Sequence, residues 1–129
     1  MSPLNRFILC LPLLSFGWAM AAVAQPLSHP IPYEIRLRGT PGANIGGSYA
    51  ILNPDGTYAT QSFDGTLPQV IQVQAPRTAT VSASGGSLVE AIDLTISIYQ
   101  NGKLCAEANG SGRGNFVTTE CLPSSPQSQ

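Results

Sequence analysis

Beyond about residue 30, apolar and polar positions alternate with a period of two, the spacing that gives a strand one buried and one wet face. Ala79, Val81 and Ala83 alternate with Thr78, Thr80, Ser82 and Ser84. Ile92, Leu94, Ile96 and Ile98 alternate with Asp93, Thr95 and Ser97, and Ile71, Val73 and Ala75 with Gln72 and Gln74. No segment past residue 24 keeps a helical period for three turns. Asn53-Pro54-Asp55-Gly56 reads as a tight turn, because proline presets φ and glycine accepts φ > 0. Asp64-Gly65 and Asn101-Gly102 read as hairpin signals, and Gly85-Gly86 and the run from Gly110 to Gly114 as loops. The pattern predicts strands at 32–38, 47–53, 57–63, 69–75, 78–84, 91–99, 103–109 and 115–121. It implies an all-β fold, an immunoglobulin-like antiparallel β-sandwich of about 7–8 short strands, with a small barrel as the alternative.

At the Asn101-Gly102 hairpin, two registers compete. A two-residue loop pairs Gln100 with Lys103 and puts Glu107 opposite Ile96. A three-residue loop pairs Tyr99 with Lys103 and aligns Ile98, Ile96 and Leu94 with Leu104, Ala106 and Ala108. A slip of one residue flips the whole face, so the apolar match predicts the second register.

The first 24 residues carry a different pattern. Arg6 gives a short positive start, and Phe7 to Val23 is apolar except for Ser15, interrupted by Pro12 and Gly17. Ala22-Val23-Ala24 is a small-x-small cleavage signal, so residues 1–24 read as a signal peptide cut between Ala24 and Gln25. The alternative is an uncleaved leader acting as a membrane anchor, for which this apolar stretch is short. Residues 25–30 and 123–129 then read as disordered tails, and 31–122 as the sandwich domain. The expected location is secreted, periplasmic or otherwise extracytoplasmic.

After residue 24 the chain holds five basic and seven acidic side chains, a net charge of −2. That balance offers no basic surface for phosphate and disfavours nucleic acid as a partner. Cys105 and Cys121 are the two cysteines that remain after cleavage, an even pair in an oxidising compartment, and are expected to form a disulfide. Two thiols and distant His29 are too few for a zinc site. The glycine run between the cysteines suggests that the chain folds back near residue 113 as an antiparallel pair, with 105 facing 121. A bond closing this loop should stabilise the fold by roughly 3 kcal/mol.

Catalytic chemistry finds little to work with, and no catalytic, cofactor or metal residues are assigned. His29 lies in a proline-flanked tail, poorly placed as a base. Asp55 and Asp64 occupy Asp-Gly turns, where acids serve the backbone. Asp93 alternates outward, and Glu90 precedes its strand. The glycine-rich stretches lead into no helix and no lysine, so they are not phosphate cradles. Asn109-Gly110-Ser111 matches a glycosylation sequon. Tyr33, Tyr49, Tyr58, Phe63, Tyr99 and Phe116 read as core and edge packing rather than a sugar-stacking platform. An enzyme is not expected.

From Tyr33 to Cys121 the order of short motifs resembles the extracytoplasmic domain of the mycobacterial membrane protein small (MmpS-like) family. The resemblance rests on Tyr33-Glu34-Ile35, a strand containing Tyr49, Asp64-Gly65-Thr66-Leu67-Pro68, Ala75-Pro76, Ser84-Gly85-Gly86, Leu94-Thr95-Ile96-Ser97-Ile98, the Glu107 strand and Cys121. Ile96 stands where the family has its first cysteine, and Gln69 where it has a tryptophan. The resemblance implies a non-catalytic accessory or adaptor subunit of an envelope transporter complex, touching the membrane only through a partner or an uncleaved leader. A stand-alone secreted module for a lipid, glycan or cell-wall component is the competing expectation. An adaptor calls for an apolar patch or a free strand edge; a binding module calls for a concave site with exposed aromatics.

Overall fold

The computed structural model describes residues 29–123. The expected signal peptide (1–24), its expected cleavage site between Ala24 and Gln25, and residues 25–28 and 124–129 of the expected tails lie outside the described residues.

Eight strands follow in order: β1 (Pro30–Gly39), β2 (Asn44–Leu52), β3 (Tyr58–Thr66), β4 (Gln69–Pro76), β5 (Thr80–Gly86), β6 (Ile92–Gln100), β7 (Lys103–Gly112) and β8 (Val117–Cys121). They form two four-stranded antiparallel sheets, ordered β4-β1-β6-β7 and β3-β2-β5-β8. The fold is therefore an all-β sandwich, with two separate sheets rather than a closed barrel. Only β2–β3 and β6–β7 are hairpin neighbours; every other connection crosses between the sheets. The register puts the ends of β1, β3, β5 and β7 together at one end of the sandwich, here called the tip. The start of β1 and the two hairpin turns lie at the other end, the base.

The alternating positions face inward as the pattern demands. Ile35, Leu37, Val81, Ile96, Ile98 and Cys121 are fully buried, with Tyr33, Leu94, Val73 and Ala83 beside them. Each such aliphatic side chain contributes about 1.5–3 kcal/mol by leaving water. Tyr33 keeps its hydroxyl satisfied in the core: it donates to Pro76 O (3.2 Å) and accepts from Gln100 Nε2 (2.9 Å).

Several local expectations are corrected. β1 begins at Pro30, not 32, and Pro30 pairs with Pro76, so residue 30 belongs to the sheet and not to a tail. Asp64-Gly65 is no turn; both residues pair with β2. Gly85 and Gly86 end β5, and Gly110 and Gly112 lie in β7. An added Cβ would meet backbone at Gly85 and Gly86, the Val117 side chain at Gly110 and the Asn115 side chain at Gly112. Gly47 pairs with Gly85, and a Cβ on Gly47 would stand 2.8 Å from Gly85 Cα and 2.9 Å from the Phe63 ring. The ring fills the space that two missing side chains leave on the inner face. Glycine in a strand marks such close approach as readily as it marks a loop.

The hairpin at Asn101-Gly102 follows neither predicted register. Its loop has two residues, both at positive φ (51° and 86°), and Gln100 pairs with Lys103. A β-bulge at Cys105 then adds one residue, so Ile98 faces Ala106 and Ile96 faces Ala108. The turn geometry suits the twist of a short hairpin, and the bulge restores the apolar match that the turn alone would break.

Cys105 and Cys121 are bonded, with Cα atoms 5.5 Å apart. The expected fold-back of their strands as a pair is overturned: β7 pairs with β6, while β8 pairs with β5 in the other sheet. The disulfide joins the two sheets at one side of the sandwich. Gly110 permits this proximity, since a Cβ there would stand 3.1 Å from Val117 Cγ2.

Candidate functional site

Leu88 and Val89, between β5 and β6, belong to no strand pattern. Ser87 explains their position. Its side chain is buried, and its Oγ accepts hydrogen bonds from the N–H of Val89 (3.3 Å) and of Glu90 (3.2 Å). A serine bonding forward to the backbone in this way makes a tight turn, and the two residues at its crest project outward. They are 72% and 73% exposed.

The β7–β8 connection is held beside this turn. Gly114 N–H donates to Ser87 O (2.7 Å), and Asn115 Nδ2 closes its own loop on Ser111 O (2.8 Å). Gly114 has φ +79°, and a Cβ on Gly86 would stand 2.7 Å from Asn115 O. Both glycines are thus needed to bring Phe116, 49% exposed, against the turn. Glu90 ties the turn to β2 by accepting from Asn44 N–H at 3.4 Å. Ile45, Gly46, Gly86, Leu88, Val89 and Phe116 then line an open recess of about 220 Å³ at the tip. Single exposed apolar residues are ordinary on a protein surface. Three around one recess, on two loops bonded to each other, form a patch.

The outer face of the β4-β1-β6-β7 sheet is built differently. Arg36 Nε contacts Glu34 Oε1 at 2.6 Å, and its guanidinium lies 4.1 Å over the Tyr99 ring. Gln72 Nε2 donates to the other Glu34 oxygen at 2.9 Å. On the neighbouring rows, Arg38 donates to Glu107 (3.0 Å) and to Ser97 Oγ (3.2 Å), while Ser97 donates to Glu107 at 2.6 Å. Ser97 points outward, as its alternation predicts, yet is fully buried beneath these two side chains. The hydrogen bond from Arg36, then that from Gln72, holds the Glu34 carboxyl below its usual range. The Ser97 hydroxyl, then Arg38, does the same for Glu107. Charges here are matched within the sheet, and the recess beside Glu34, Arg36, Gln72 and Tyr99 is only about 150 Å³.

Of the acids considered for catalysis, Asp55, Glu90 and Asp93 have local structural partners. Asp55 Oδ1 accepts from the Thr57 hydroxyl (2.7 Å) and its N–H (2.9 Å), which lowers its pKa in that order of effect. Asp93 accepts from Ser111 Oγ at 2.8 Å at the tip, and Asp64 lies on the outer face of β3. His29 precedes β1 and is exposed. Among the described residues, no group of three or more His, Cys, Asp or Glu could hold a metal ion. No helix among the described residues is long and apolar enough to cross a membrane.

The aromatic residues divide. Tyr33 is core, and Tyr49 and Phe63 pack against it. Phe116 and Tyr58 are exposed, contrary to the packing role expected of them. The tip was readable only as an anomaly: Leu88-Val89 is an apolar pair lying between two alternating segments and continuing neither. Compared with known proteins, the sequence matches no protein-family model, and no curated protein is significantly similar to it.

Proposed function

We propose that this chain is a non-catalytic exported adaptor domain that docks through its tip onto a protein partner in an envelope transporter complex. The exposed patch of Leu88, Val89 and Phe116 around one recess carries this reading. Ligand sites for small molecules usually enclose about 300–1,000 Å³. The recess is smaller and open, a size suited to one or two apolar side chains of a partner. Such anchors, centred in a patch with polar surroundings, supply most of the energy of protein interfaces. Arg113 and Glu90 flank the patch in sequence and fit the polar rim. The motif order shared with the MmpS-like family supports the same reading and suggests the kind of partner.

Affinity capture of the mature domain from its native envelope tests the proposal. A transporter subunit should co-elute with the wild-type domain and be lost, by at least tenfold, with the double substitution Leu88→Asp and Val89→Asp. Capture of lipid or glycan without a transporter subunit would replace this reading with a secreted binding module.

A further inference from the structure

The sandwich has four edge strands: β4 and β7 in one sheet, β3 and β8 in the other. An edge presents unpaired N–H and C=O groups that can template another strand, and proteins normally guard them with charge, proline, bulges or shortness. β7 carries the bulge at Cys105 together with Lys103 and Glu107. β8 has only five residues and is joined to β7 by the disulfide. β4 is likewise uncharged from Gln69 to Ala75, but prolines close it at both ends, Pro68 before it and Pro76 as its last residue.

β3 lacks these guards. It pairs with β2 over nine residues without a register shift. From Tyr58 to Phe63 it contains no charge and no proline. Residues 58–62 are exposed whichever sheet face they point to, so this part of the strand overhangs the opposite sheet.

Its free groups can be assigned. Asn53 N–H donates to Thr57 O (2.9 Å) at the turn, making 53 and 57 a hydrogen-bonded pair. Bonded and non-bonded pairs alternate in an antiparallel ladder. Ala59, Gln61 and Phe63 therefore bond to β2, while Tyr58, Thr60, Ser62 and Asp64 aim their N–H and C=O away from it. The contact from Gln69 Nε2 to Asp64 O (3.3 Å) agrees. It also caps the edge at Asp64, so the open stretch runs from Tyr58 to Ser62.

We infer that β3 is a self-association edge, pairing antiparallel with β3 of a second copy and centred on Thr60. Thr60 then faces Thr60 of the second copy, and Tyr58 faces its Ser62. A two-fold axis makes such an interface self-complementary, and about six backbone hydrogen bonds close it. The charge pattern favours this occupant: the paired residues are uncharged, and Asp64 of each copy lies outside the paired stretch. The two β3-β2-β5-β8 sheets become one continuous sheet, and each tip stays open.

Sedimentation equilibrium of the exported protein over a range of concentrations should show a monomer–dimer equilibrium. Thr60→Lys places two lysines opposite each other on the axis and should raise the dimer dissociation constant at least tenfold, with the circular dichroism spectrum and the disulfide unchanged. Thr60→Cys should give a covalent dimer under mild oxidation, at least tenfold faster than the exposed control Ser111→Cys. Leu88→Asp should leave the dimer intact, which separates this interface from tip docking. A wild-type monomer throughout, a dimer insensitive to Thr60→Lys, or cross-linking no faster than the control would each overturn the inference.

Discussion

Adjacent glycines in β2 show how much one residue's surroundings decide. A Cβ on Gly46 would meet nothing nearer than Phe63 O at 3.8 Å, an ordinary contact. A Cβ on Gly47 would collide with Ser84 O and crowd Gly85 Cα and the Phe63 ring. Gly46→Ala should therefore change stability by no more than about 0.5 kcal/mol. Gly47→Ala should cost about 1–3 kcal/mol or more, because backbone, not a flexible side chain, must move. Urea melts of the two variants check the pair, and equal effects would contradict the close packing of β2 on β5. Asn101 offers a further case at this scale. Its φ of +51° suits asparagine and penalises a β-branched residue, so Asn101→Val should lower the melting temperature while Asn101→Gly should not.

Among elements, the disulfide has a larger role than closing a loop. It joins β7 to β8 across the two sheets, at the side where both sheets end. Its chain-entropy contribution for a sequence separation of 16 is about 3 kcal/mol, a large share of the ~5–15 kcal/mol of a small domain. Replacing both cysteines with alanine should lower the melting temperature markedly and loosen β8 first. Hydrogen exchange should show protection lost at Val117–Cys121 before it is lost in β1 and β6, which are interior strands. Two free thiols per chain at Cys105 and Cys121 under denaturing, non-reducing conditions would refute the bond. The cysteine pairing was legible in the sequence because the expected cleavage after Ala24 leaves an even pair. The strand pairing around it was not. The choice between a fold-back and a crossing depends on whether β6 and β5 offer edges, and no local feature of residues 105–121 records that.

Across the whole molecule, acid should act through three carboxylates. Glu34, Asp55 and Glu107 all have pKa values lowered by folding, through hydrogen bonds from Arg36, Thr57 and Ser97 first and foremost. A lowered folded pKa contributes stability above the unfolded value, near 4, and that stability is lost as pH falls through the folded value. The melting temperature should hold from neutrality down to the carboxylate range and then fall. Glu107→Gln should start lower at neutral pH and fall less on acidification; an unchanged pH profile in that variant would remove Glu107 from the account. The tip substitutions belong to this scale as well. Leu88→Asp with Val89→Asp should leave the melting temperature within a few degrees of wild type, since both side chains are already in water, while partner capture is lost.

Period-two alternation by itself determined β4, β5 and β6 with their inward faces and, together with the turn signals between segments, the all-β class, because each depends on neighbours within a few residues. Glycine misled at Gly65, Gly85 and Gly110, since its missing side chain serves a sharp turn and a close strand crossing equally well, and only the neighbouring backbone distinguishes the two. A hairpin at Asn101-Gly102 was legible, but the apolar match pointed to a three-residue loop; the bulge at Cys105 that reconciles a two-residue turn with the core was not legible, because it answers to β6 packing in the completed sheet. The tip patch and the open edge of β3 were decided by tertiary structure alone. Leu88 and Phe116 are separated by 27 intervening residues and meet only because two loops are bonded at Ser87 and Gly114. An edge strand is an edge only by where the sheet stops, a property of topology that no residue in the strand carries.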